Sequence, residues 1–191
     1  MRADMGKVLV ERPRLGVMFQ SGGLLGSMTV AENIALPLAE WTRLSGEAIH
    51  AIVEAKLRLV NLTGAETKLP SELSGGMKKR AGIARAMALE PELLLLDEPS
   101  AGLDPVIAVE LDELILTLNR GLGLTVVIVT HELESIFKIA KHCIMLDQTS
   151  QGIIARGDPR TLRDHSDNPL VRAFFNRQVP PPGGPDARRA G

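Results

Sequence analysis

The period of the apolar positions changes several times along the chain, and each change marks an element. Leu15-Gly-Val-Met-Phe-Gln20 is a short apolar run ending in a polar residue and the glycine-rich Ser21-Gly22-Gly23, which predicts a buried strand followed by a loop. From about Thr29 to Leu89 the pattern is helical. Ile49, Val53, Leu57 and Val60 recur on one face, and a further helix is predicted to begin near Ser74. Leu93–Leu96 lies between Pro91 and Pro99, too short for a helix and apolar on both faces, as in a central strand of a parallel sheet. Asp104-Pro105 then joins an N-cap to a proline at the first helical position. The stripe Ile107, Leu111, Leu114, Ile115 and Leu118 follows, with a stop expected near Gly121. Thr125–Val129 reads as a β-branched strand, Glu132–Ala140 as a helix, and Cys143–Leu146 with Gly152–Ala155 as a closing hairpin. Strand and helix alternate, so the predicted class is α/β with a largely parallel core and a helical subdomain. No internal repeat is visible, and the proline- and glycine-rich stretch after Val179 predicts a disordered tail.

Composition narrows the function classes. The 191 residues are 45% apolar, enough for one well-buried domain with a subdomain. Lys and Arg total 22 against 23 Asp and Glu, so no net charge draws the chain to nucleic acid, and no nucleic-acid partner is expected. The single cysteine, Cys143, cannot pair within the chain and suits a reducing compartment. No apolar stretch approaches the roughly 20 residues needed to cross a bilayer, and no signal-peptide core follows Met1. The expected location is cytoplasmic, with any membrane association made through a partner.

Five local features carry chemistry. Leu93–Leu96 runs into Asp97-Glu98-Pro99, which places two carboxylates at the carboxyl edge of the sheet, where open α/β folds bind ligands. The first suits Mg²⁺, a small hard cation that prefers oxygen, and the second can orient a water for in-line attack on a γ-phosphate. Ser74-Gly75-Gly76 opens a helix, where a serine cap and two glycines bring backbone N–H groups to the positive end of the dipole. On that helix Met77, Ala81, Ala84 and Ala88 form the expected buried stripe, and Lys78, Lys79 and Arg80 the expected solvated face. His131 follows a predicted strand and so lies at the same sheet edge, where an imidazole N–H can donate to a phosphate. Gln20 ends the first strand, and Asp104 is a good N-cap whatever else it does. Each feature taken alone also fits ordinary structure: a capped turn, a glycine-containing helix start, a structural histidine, a polar loop residue.

Taken together, and in this order, they resemble the ATPase subunits of ABC transporters over residues 15–160. Gln20 resembles the Q-loop glutamine, Leu73–Met77 the signature sequence, Asp97-Glu98 the Walker B pair, Ser100–Asp104 the D-loop and His131 the switch histidine. Met18–Leu25, Met28–Leu38 and Pro169–Phe174 are most similar to the ATPases of Mla/Mce-type lipid transporters. The resemblance implies a partial P-loop NTPase fold, ATP and Mg²⁺ as cofactors, Glu98, His131 and Gln20 in catalysis, Asp97 and Gln20 at the metal, and Ser74, Gly75, Gly76 and Asp104 at nucleotide. It also implies a second ATPase subunit, a membrane permease, an Mce-type substrate-binding component, and a position on the inner face of the cell membrane. The implied organisation is a remnant of the N-terminal core with the Q-loop (1–26), a helical subdomain (27–90), the rest of the nucleotide-binding core (91–163), a C-terminal helix (164–179) and a tail (180–191). Two departures stand out. Glu132 follows the histidine where the family usually has Asp, and no Gly-x-x-x-x-Gly-Lys-Ser/Thr run occurs in the 191 residues. The chain is therefore expected to lack the first βαβ portion of the core and to be inactive alone. Two outcomes follow: partnership with a full-length subunit, or a non-catalytic interaction role. Loss of that portion is also expected to leave apolar surface bare on Leu93–Leu96 and Thr125–Val129.

Overall fold

The structure, a computed structural model, describes residues 15–179 and divides into two compact units, one ending at His131 and one starting at Glu132. In the first, strands β1 (Leu15–Met18), β2 (Leu93–Asp97) and β3 (Thr125–Val129) form a parallel sheet in the order β1-β2-β3. The register sets Met18 opposite Leu96, and Leu96 opposite Ile128. The same unit holds four α-helices: α1 (Val30–Trp41), α2 (Gly46–Leu59), α3 (Gly75–Ala86) and α4 (Pro105–Leu122).

Local chemistry fixes where these helices start. Thr29 and Glu32 cap α1 reciprocally, each side chain bonding the other's backbone N–H. Ser45 caps α2, and Ser74 caps α3 by accepting from the Met77 N–H at 3.3 Å. Asp104 caps α4 through the N–H groups of Val106 and Ile107. The buried Asn33 amide accepts from Leu25 N–H and donates to the carbonyls of Leu25, Met28 and Thr29, which fixes the segment leading into α1.

One face of the sheet carries the core. Met18, Leu94 and Leu96 are buried in one cluster with Ile83 and Met87 of the α3 region and Leu111, Leu114, Ile115 and Leu118 of α4. The other face is bare. Leu15, Val17, Val127 and Val129 are exposed, from 39% at Val17 to 62% at Val129, while Leu93 and Leu95 between them stay partly covered. Parallel sheets are generally covered on both faces; among the described residues this one is covered on a single face.

In the second unit, β4 (Cys143–Asp147) and β5 (Gly152–Gly157) pair antiparallel beside α5 (Leu133–Ile139), α6 (Pro159–His165) and α7 (Pro169–Phe175). Leu133, Ile136, Val171 and Phe175 form its core. The rings of Phe137 and Phe175 lie 5.8 Å apart, and the Arg163 guanidinium sits 5.3 Å from the centroid of Phe137. Among the described residues no helix is long and apolar enough to cross a membrane.

Several expectations change. The first strand ends at Met18 and alternates between exposed and buried positions, because only one face of its sheet is covered. The helix from Pro105 runs past Gly121 to Leu122 and stops at Gly123, whose φ of +65° is open to glycine at little steric cost. Lys79 is buried and Arg80 is mostly covered, bonding the Val60 carbonyl and Glu110, so neither belongs to a solvated face. Helix α3 is buried around most of its circumference, which leaves the basic run little solvent. Within the segment expected as a C-terminal helix (164–179) lies α7, and α6 precedes it, starting at Pro159 behind an Asp158 cap. The division at His131 and Glu132 falls inside the expected 91–163 segment. The expected tail (180–191), and most of the expected 1–26 remnant, lie outside the described residues.

Candidate active site

Three parallel strands ending in register bring the candidate residues to one edge. Met18, Leu96 and Ile128 share a row, and counting two residues on reaches Gln20, Glu98 and Thr130. Asp97 closes β2 opposite Val129, and His131 follows Thr130.

Glu98 is held at every polar group. Its N–H donates to the Val129 carbonyl at 2.8 Å, and its carbonyl accepts from the Lys79 ammonium at 2.6 Å and from Ala101 N–H at 3.4 Å. Its carboxylate accepts from Thr130 Oγ1 at 3.1 Å and lies 2.7 Å from His131 Nδ1. The backbone here has φ +45°, a conformation that a non-glycine residue keeps only where its surroundings impose it. The carboxylate side chain is 16% exposed and the His131 ring 68%, so the pair opens to solvent on the histidine side.

Gln20 is exposed, and its carbonyl accepts from Lys79 Nζ at 2.5 Å. Lys79 is 6% exposed. Burial pushes its ammonium below the usual lysine range, and the carboxylates of Glu98 and Asp97 pull it part of the way back. The loop after β1 meets α3 almost backbone to backbone: a Cβ added at Gly82 would lie 2.4 Å from the Gly22 carbonyl oxygen, and Arg85 donates to the Gly23 carbonyl.

The helix start at Ser74 has a packing role of its own. Ser74 and Gly75 are exposed, but a Cβ on Gly76 would come within 2.6 Å of Ile107 Cγ2, so close contact with α4 already requires glycine there. The Asp104 carboxylate is engaged in capping α4. The structure thus gathers Gln20, Asp97, Glu98 and His131 at the ends of three adjacent strands, and puts Ser74–Gly76 and Asp104 at the starts of two packed helices.

Mg²⁺ suits the residues present in one respect. Asp97 and Gln20 offer oxygen donors, and among the described residues no group of three or more His, Cys, Asp or Glu could hold a metal.

Sequence reasoning misses the part played here by Thr130, Lys79 and Arg85. Lys79 carries a signal: it stands three residues from Gly76 and from Gly82, on a helix face where small residues mark close packing.

Comparison with known proteins gives this arrangement its relatives. A family model described as ABC transporter matches residues 4–101. The chain is 44% identical over 165 residues to the intermembrane phospholipid transport system ATP-binding protein MlaF of Escherichia coli (strain K12), covering 86% of this chain and 60% of that protein. It is 43% identical over 173 residues to the probable ribonucleotide transport ATP-binding protein mkl of Mycobacterium leprae (strain TN), covering 90% of this chain and 49% of that one. The chain therefore spans less than two thirds of the length of these relatives. Among solved structures it is similar to the ATP-binding cassette MJ0796, in a dimeric post-hydrolysis state bound to ADP and Pi, with a TM-score of 0.69 and 29% identity over 82% of this chain and 68% of that one.

Proposed function

Because the chain belongs to the ABC transporter family, we propose that it carries the hydrolytic sheet edge and the signature helix of an ATP-hydrolysing subunit that energises transport, with phospholipid as the substrate class. The observation that carries this is the Glu98 network: a carboxylate in a constrained backbone conformation at the carboxyl edge of a parallel sheet, 2.7 Å from a solvent-open histidine. Similarity to MlaF supports the lipid class, and the dimeric MJ0796 structure supports a second ATPase subunit. A permease would hold the protein at the inner face of the membrane, and an Mce-type component would deliver substrate to it.

In this reading Glu98 orients the attacking water, its carboxylate aligned by Thr130 Oγ1 and His131. His131 turns from Glu98 toward phosphate oxygens when nucleotide is present. Asp97 and Gln20 would hold Mg²⁺, whose charge would offset the negative charge on the phosphate oxygens. Ser74–Gly76 presents backbone N–H groups to a nucleotide held by a second subunit, and we assign α1 to α3 to the helical subdomain. Since no Gly-x-x-x-x-Gly-Lys-Ser/Thr run occurs among these 191 residues, the phosphate cradle comes from outside them, and these residues alone are inactive. Titration calorimetry tests this: the 191 residues alone should give no measurable heat with Mg·ATP, and micromolar binding would overturn the assignment.

A further inference from the structure

We propose that Lys79 is a positioning residue, whose buried ammonium ties the backbone of Gln20 and the backbone of Glu98 to α3, so that both loops keep one spacing from the helix that begins at Ser74. The chemistry assigned to those loops rests on the reading under Proposed function; the tie itself rests on geometry.

Lys79 lies on α3 and its Nζ reaches two carbonyls in the loops that follow different strands, Gln20 at 2.5 Å and Glu98 at 2.6 Å. A buried ammonium is costly unless it is paired, and filling the same space needs only an apolar side chain. What the cation adds is two charge-assisted hydrogen bonds to loops that nothing in the local sequence joins. The Gln20 loop has further ties to α3, through the close approach of Gly82 to Gly22 and the Arg85 bond to the Gly23 carbonyl. For Glu98 the link to α3 is made by the ammonium. Its backbone stands at a positive φ of +45°, and its carbonyl accepts from Lys79 in that conformation. A shift of α3 along its axis then moves Gln20 and Glu98 together, which links the helix start to the opposite end of the site.

The test is amide hydrogen exchange, read by mass spectrometry, on the chain with Lys79→Met, Lys79→Gln and Lys79→Arg. Methionine fills much of the space without donating; glutamine is shorter and uncharged but still a donor; arginine keeps the cation. Lys79→Met should raise exchange in segments 19–23 and 98–103 together by about tenfold, the factor expected for loss of one charge-assisted hydrogen bond, while α1 and α2 keep wild-type rates. Lys79→Gln should loosen the same segments less, and Lys79→Arg should restore protection. Where these residues operate in an assembly that turns over ATP, Lys79→Met should lower kcat with KM for ATP unchanged, the signature of displaced catalytic groups. A folded Lys79→Met or Lys79→Gln protein with both segments at wild-type protection would overturn the proposal, as would a uniform rise across the whole first unit. A wild-type assembly without turnover would instead overturn the ATPase reading and leave Lys79 to be judged by exchange.

Discussion

At the scale of single residues, Glu98 is the carboxylate to which we assign the hydrolytic role. Its backbone is held by Val129, Ala101 and Lys79, and its side chain by Thr130 and His131. Removing the charge while keeping the shape isolates the role of the carboxylate. In a complete subunit, Glu98→Gln should lower turnover by about 10²- to 10⁴-fold with little change in nucleotide affinity, measured by phosphate release and calorimetry. Lys79 makes a separate prediction in pH. Its folded pKa lies below the ordinary value of 10.5, so between the two values the unfolded state binds more protons, and stability gains as pH rises through that window. Denaturation free energies should show this alkaline gain in the wild type and a smaller one in Lys79→Met. The carboxylate pair and the histidine are legible in the sequence because each ends an apolar run. Lys79 is not, because a lysine reads as solvated unless the element packed against it is known.

At the scale of elements, α3 decides how the parts of the site are spaced. It packs on the loop after β1 at Gly82, where any side chain meets the Gly22 carbonyl. Gly82→Ala should therefore push that loop away at a cost of about 1–3 kcal/mol, read as a fall in the denaturation midpoint and as faster exchange around Gln20. The strands β2 and β3 are legible as apolar runs bounded by turn residues, and α4 as a capped stripe. Its stop is not: Gly121 and Gly123 are equal in the pattern, and the choice of Gly123 follows from where the helix must release the chain into β3. The two short helices near the C-terminal end, α6 and α7, each start with a capped proline, a local signal that the apolar pattern alone does not separate.

At the scale of the whole molecule, both units expose apolar side chains among the described residues. Leu15, Val17, Val127 and Val129 are exposed on the sheet of the first unit, and Ile144, Leu146 and Ile153 on the hairpin of the second. The 191 residues alone should self-associate as concentration rises, and a monodisperse monomer in sedimentation velocity would contradict this. The bare face is foreseen on β3, is expected also on β2, where Leu93 and Leu95 stay partly covered, and is not foreseen on β1, because sequence reports which positions are apolar and not which neighbours cover them.

The central claim is that these residues contribute a signature helix and a hydrolytic edge to different nucleotide sites, and the most direct measurement is ATPase turnover of a mixed dimer with a complete relative. On this proposal the intact site of that dimer would use the relative's phosphate cradle and carboxylate with this chain's Ser74–Gly76 and Ser100–Asp104 segments. With substitutions placed in this chain only, and binding of the two chains checked first, Ser74→Arg should abolish turnover, since a bulky cation at the helix start fills the phosphate's space and opposes the dipole. Glu98→Gln in this chain should leave turnover unchanged. Turnover silenced by Glu98→Gln and preserved by Ser74→Arg would contradict the account.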